Sequence, residues 1–188
     1  MARPLSPEKR SALLQAAIHE IAASGLSVST ARIAKRAGVA EGTLFTYFAT
    51  KEQLLNELYL ELKVEIYGAI HNGFPVKGSL RDRAWHVWSV SLDWAIAYPE
   101  KRSVSMRLNL SEVLTEETRA KSASMRGEVD SALAGVEERI TAKGLPKGFA
   151  SSMMGAMQDA AMEYIAKKPR QRESLKEKTF DLFWRALQ

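Results

Sequence analysis

One regularity limits this chain more than any other: apolar residues recur three and four positions apart almost from end to end. No segment alternates with period two for long enough to make a strand. Such a chain can bury its stripes only by packing helix on helix, so the predicted class is all-α with about nine helices. Starts and stops are written locally. Ser6-Pro7 opens a helix with the stripe Leu13, Leu14, Ala17, Ile18 and Ile21, and Gly25 ends it. Short helices follow from Ser29 or Thr30 to Ala37 and from Glu41 to Phe48. Thr50 and Gln53 form a capping box for a fourth helix that runs to His71. Asn72 to Gly78 is the clearest break. A fifth helix starts at Ser79 and a sixth at Pro99. A seventh is predicted from Thr115 to Lys143-Gly144, an eighth from Pro146 to Lys167, and a ninth from Arg172 to Leu187.

Composition removes several classes. With 46% hydrophobic and 26% charged residues among 188, the balance is that of a globular protein with a sizeable core. No apolar run reaches the ~18 residues of a membrane span, and Met1–Ser6 leads into Glu8-Lys9-Arg10 without the apolar core of a signal peptide. Zero cysteines exclude disulfides, thiolate metal sites and cysteine nucleophiles, and a cytoplasmic location is the default expectation. His19, His71 and His86 are scattered. No HExxH, phosphate-cradling glycine loop or nucleophile elbow is present, so neither an enzyme nor a cofactor or metal is expected. The formal charge is +5, and residues 1–55 hold seven Lys/Arg against four acids, so the excess is concentrated at the front.

Residues 29–55 say the most. Ile33 and Ala34 are placed to bury against the first helix, and Ala37 leaves room where two short helices nearly touch. Gly38 sits where the chain needs positive φ, and Val39 plugs the gap beneath the turn. Leu44 and Phe48, four apart, pin the inner face of the third helix. Glu41, Gly42, Thr43, Phe45, Thr46 and Tyr47 are left along its outer and flanking faces. Exposing a Phe-Thr-Tyr run needs a reason. A helix that enters a DNA major groove supplies one, because base edges and thymine methyls lie there. The competing reading is a plain helical hairpin in which Phe45 and Tyr47 pack.

These residues resemble the DNA-binding domain of the TetR (tetracycline-repressor-like) family over residues 10–58. The matching elements are Ala16-Ala17, Gly25, Thr30, Ile33-Ala34, Ala37-Gly38-Val39-Ala40, Gly42-Thr43-Leu44-Phe45, Tyr47-Phe48 and Lys51-Glu52-Gln53-Leu54. Phe45 stands where the family usually has Tyr, and Ala40 where it usually has a capping Ser. The resemblance implies a three-helix DNA-binding domain at 1–50 and a helical ligand-binding and dimerisation bundle at 51–188. It implies phosphate contacts from Thr30, Tyr47 and Lys51, with Thr43 on phosphate or a thymine methyl. Glu41, Gly42, Phe45 and Thr46 would face the bases, Glu41 accepting from a cytosine amine. Arg32 and Arg36 flank the motif, as phosphate contacts or as a solvated surface, and Arg3 belongs to a segment that is either disordered or a minor-groove arm, disorder being the expected case.

For the body, Trp85, Trp88, Trp94, Tyr98, Met106 and Met125 have two readings, an ordinary core or an effector pocket between helices. Asp93, His86, Arg107 and Asn109 stand as satisfied partners, or as groups orienting a ligand. The resemblance implies a homodimer closed by the last two helices, with Met153, Ala156, Met157, Ala160, Tyr164, Phe180, Phe183 and Trp184 at the interface. The expected partners are a palindromic double-stranded operator and a small, apolar or aromatic effector, with no membrane partner. The expected function is a transcriptional repressor released by that effector. An activator or a ligand-independent DNA binder of the same fold is the alternative.

Overall fold

The computed structural model describes residues 5–188 and starts its helices where capping chemistry asks for them. In chain order they are α1 (Pro7–Ser24), α2 (Thr30–Arg36), α3 (Glu41–Tyr47), α4 (Lys51–His71) and α5 (Leu80–Ala97). Then come α6 (Pro99–Asn109), α7 (Glu116–Ala132), α8 (Ala134–Ala142), α9 (Phe149–Lys167), a 3-10 turn (Pro169–Gln171) and α10 (Arg172–Ala186). No strand is present among the described residues. The fold is all-α, as the periodicity requires. Ser6 accepts from the Lys9 N–H at 3.2 Å at the head of α1, and Gly25 closes that helix at φ 81°. The Thr50–Gln53 box forms with one change of partner. The Gln53 N–H donates to Thr50 Oγ1 (3.1 Å), while Gln53 Oε1 accepts from the Ala49 N–H (2.8 Å) rather than from that of Thr50.

The predicted seventh helix is two helices. Leu133 leaves helical geometry at φ −104°, ψ 10°, dividing α7 from α8. Two residues on, a Cβ at Gly135 would lie 2.9 Å from Leu80 Cδ2, so the start of α5 presses on bare backbone there. Apolar periodicity runs straight through this break and conceals it.

The chain divides into two units, residues 1–65 with 98–124 and residues 66–97 with 125–188. In the first, Leu13, Ala17, Ile21, Ile33, Leu44, Phe48, Leu54, Leu58 and Leu62 form one core, completed by Val104 and Leu108 of α6. Burial of each large side chain in this core contributes about 1.5–3 kcal/mol. Polar contacts tie α6 and the loop after it into this unit. Arg107 Nη1 donates to the Ile21 carbonyl near the end of α1 (2.9 Å). Tyr59 Oη donates to Asn109 Oδ1 (2.9 Å). Buried Asn56 donates to the Val113 carbonyl (2.9 Å) and accepts from the Thr115 N–H (3.0 Å).

The second unit packs α5, α9 and α10 around Trp88, Leu92, Ala161, Ile165, Phe180 and Phe183. A smaller cluster holds Ile66, Ile70, Val87, Trp94, Ala95 and Val129. No helix among the described residues is long and apolar enough to cross a membrane.

Candidate nucleic-acid interface

The corner between α2 and α3 has the geometry its residues dictate. Gly38 adopts φ 71°, a left-handed conformation that a side chain makes costly. Open space surrounds its missing Cβ, so conformation and not crowding selects glycine. Ile33 and Leu44 are wholly buried, as is Phe48 just beyond α3, and Val39 packs against the same core. With its inner face fixed in this way, α3 must turn Glu41, Gly42, Phe45 and Thr46 to solvent, with Thr43 and Tyr47 half-buried at the flanks. Phe45 is 44% exposed, an apolar ring kept at the surface beside an open glycine edge. Ala40 gives α3 no side-chain cap, and Glu41 supplies a favourable negative charge to its first turn instead.

Hydrogen bonds sort the outer residues. Thr46 Oγ1 donates back to the Gly42 carbonyl (3.1 Å), which leaves its methyl free. Tyr47 Oη accepts from the Ser6 N–H (3.0 Å), so its own O–H remains available to donate outward. Thr30 Oγ1 donates to Glu41 Oε1 at 2.5 Å, joining the starts of α2 and α3. Lys51 Nζ donates to the Leu26 carbonyl (2.7 Å), pinning the loop before α2 to the head of α4. Two of the ammonium N–H groups remain.

Arg32 and Arg36 converge on one acid. Glu20 of α1 is buried, and its two oxygens meet Arg36 Nε (2.5 Å) and Arg32 Nη2 (2.6 Å). The Arg36 bond, aided by the charge of Arg32, holds the Glu20 carboxyl below its ordinary range. Both guanidinium groups stay largely at the surface while so paired. Sequence reasoning missed Glu20, because nothing local marks an acid on a helix's inner edge as a partner for arginines twelve and sixteen residues on. It also missed Arg10, which bridges Glu57 (2.7 Å) and Glu61 (2.8 Å) of α4. Arg3 lies outside the described residues.

The proposed pocket set is not brought to one wall. Trp88 is fully buried, stacked on Phe183 at 5.4 Å, and Trp85 meets Phe180 edge-on at 5.0 Å. Trp94 belongs to the separate cluster with Ile66 and Val129, and Met125 is half-buried in the same unit. Tyr98 and Met106 belong to the other unit and are exposed. The candidate orienting groups have partners of their own. Asp93 pairs with Arg172 (2.8 Å) and Lys176 (3.1 Å), and His86 Nε2 meets the Ile70 carbonyl at 2.7 Å.

The interface set divides too. Ala156, Ala160 and Tyr164 lie exposed along α9, and Met153 and Met157 are half-buried. Phe180, Phe183 and Trp184 are instead buried in the chain's own core, where α10 turns its aromatic face onto α5 and α9. They are not available to a partner.

A glycine-cornered helix pair with a seated inner face and an exposed reading face, set in an all-α chain, defines a helix-turn-helix DNA-binding regulator. The family signature described as bacterial regulatory proteins, tetR family, matches residues 13–58. A structure from Shewanella sp. PV-4 assigned to the TetR family of transcription regulators is 30% identical. That match covers 95% of this chain and 97% of the other, with a TM-score of 0.76. The chain belongs to the TetR family. A TetR-family regulator from Marinobacter aquaeolei VT8 shares the fold at 23% identity, with 93% and 94% coverage and a TM-score of 0.75. So does the transcriptional regulator FadR of Bacillus subtilis, solved with stearoyl-CoA, at 21% identity, 92% and 96% coverage and a TM-score of 0.64.

Proposed function

We propose that this DNA-binding regulator is a homodimeric repressor that reads a palindromic operator with two copies of α3 and leaves it when a small apolar or aromatic effector binds the body. The observation that carries the reading is the outward face of α3. Leu44 and Phe48 are sealed below it, while Phe45, Gly42, Thr46 and Glu41 stand clear above. In the major groove Phe45 and the Thr46 methyl would meet thymine methyls, and bare Gly42 would allow close approach. The free Tyr47 O–H and the two remaining N–H groups of Lys51 would donate to phosphates, fixing register without reading sequence. Thr43 lies between these roles. Arg32 and Arg36 contribute positive charge at the flank of the site.

Two-fold symmetry in the operator calls for two-fold symmetry in the protein. Ala156, Ala160 and Tyr164 offer an exposed strip on α9, with small residues for close approach and one ring that is 56% exposed. The stearoyl-CoA complex of a protein with this fold supports an effector that carries an apolar chain. An effector can shift the two heads only by as much as it binds the released state better than the DNA-bound one.

The test is a footprint over the DNA upstream of the gene, followed by a metabolite screen for release. Protection overlapping a promoter and relieved by a compound supports repression. Protection that strengthens transcription, or that no compound alters, contradicts it.

A further inference from the structure

Glu41 is the one acid of α3, the helix that carries the reading face, whereas six other acids of the first unit are paired. Glu20 is paired with Arg32 and Arg36, Glu57 and Glu61 with Arg10, Glu65 with Lys101, Glu100 with His19 and Glu117 with Lys121. No ion pair among the described residues reaches Glu41. Its carboxylate is exposed at the start of the helix that carries the reading face, and the Thr30 hydroxyl holds it at 2.5 Å. An unneutralised negative charge opposes approach to a polyanion, so at this place it weakens every DNA complex unless the DNA returns something specific.

We infer that Thr30 and Glu41 act together as a specificity element, in which Thr30 positions the Glu41 carboxylate so that its remaining oxygen accepts from the exocyclic amine of a cytosine or an adenine in the operator. This rests on the reading that α3 enters the major groove. A carboxylate only accepts, and the major-groove edge offers amine donors from cytosine and adenine alone. Guanine presents O6 and N7, and thymine presents O4, all acceptors that repel a carboxylate. The Thr30 bond restricts rotation of the acid and occupies one of its oxygens, which narrows which base it can reach. Thr30 is then a positioning residue, not the phosphate contact that the family resemblance implies.

The experiment measures binding of the full chain to a library of duplexes randomised at each half-site position, with wild type, Glu41→Gln, Thr30→Val and the double variant. For wild type we expect one position restricted to cytosine or adenine. In Glu41→Gln that preference falls by about ten-fold, while affinity for unrelated DNA rises as a negative charge is lost. In Thr30→Val, which exchanges the hydroxyl for a methyl of similar size, the same position relaxes and affinity for unrelated DNA is unchanged. The two effects on preference do not add in the double variant. An unaltered preference profile in Glu41→Gln overturns the inference. Uniform weakening of all duplexes by Thr30→Val, with the profile intact, also overturns it and returns Thr30 to a phosphate. Wild-type protein that shows no preference at any position removes the underlying reading of α3 instead. Glu41 is exposed and Thr30 half-buried, and matched thermal melts confirm that folded proteins are compared.

Discussion

Replacing Tyr47 with Phe separates folding from DNA contact more sharply than any other single change. The substitution keeps the ring and removes only Oη, which accepts the Ser6 N–H at 3.0 Å in the free chain. That bond is part-buried and Ser6 is half-exposed, so water takes over the lost acceptor role and the stability cost stays below about 1 kcal/mol. On DNA the hydroxyl donates to an ionised phosphate oxygen, and such a bond contributes about 1.5–3 kcal/mol. At about 1.4 kcal/mol per decade, each bound head loses roughly ten-fold to somewhat over a hundred-fold, and a dimer on a two-half-site duplex loses about the square of that. No charge is lost, so the slope of log affinity against log salt stays unchanged. Fluorescence anisotropy at four salt concentrations, with a thermal melt of the free protein, reads all three quantities. Unchanged affinity, or loss confined to one operator base, refutes the placement of Tyr47 on the backbone. A large drop in melting temperature shows that the Ser6 bond matters more than its exposure suggests.

Other expectations follow from the same geometry. Lys51→Ala weakens binding to all sequences and flattens the salt dependence by about one unit per bound head, about two for the dimer, and an unchanged slope in the same titration removes Lys51 from the interface. Phe183→Ala opens a cavity beneath Trp88 and costs about 3–5 kcal/mol in denaturant unfolding, whereas a loss under 1 kcal/mol means that Phe183 is not the core residue described. Glu20, Glu117 and Glu163 are held below their ordinary values by Arg36, Lys121 and Lys167 respectively. Their stabilisation is complete above the unfolded glutamate range near 4.5 and is lost as pH falls below it. Melting temperature therefore declines on acidification from about pH 5 to pH 3, less steeply in Glu20→Gln, and a flat profile contradicts this. Tyr164→Glu and Ala160→Arg on α9 convert a species of about 42 kDa in sedimentation to the 20.9 kDa monomer, and an unshifted mass places the subunit contact elsewhere.

The reading head was legible because its determinants are local. Ser6 with Pro7, Gly25, Gly38 and Thr50 with Gln53 each act within four residues of chain, and the Leu44 and Phe48 spacing alone decides which face of α3 is left outside. Contacts across the sequence were not legible. Glu20 finds its arginines, and Asn56 the loop before α7, only once three helices have packed, and no window of sequence contains both ends. The aromatic residues of α10 show the same limit in another form. Phe180, Phe183 and Trp184 have the stripe that a subunit interface has, and periodicity cannot tell a chain's own core from a partner's surface. The Trp-rich α5 fails as a single pocket wall for a similar reason. Helical spacing sends Trp88 toward α10 and Trp94 into the cluster with Ile66, although six residues separate them.

Titration of the purified chain with duplexes tiled across the DNA upstream of its own gene, at about 50 mM and about 200 mM salt, shows whether α3 reads a specific site. One tile is expected to bind far more tightly than its neighbours, with two protected major-groove faces about one helical turn, or a multiple of it, apart. Equal and weak binding to every tile, even at the lower salt, contradicts this reading of α3.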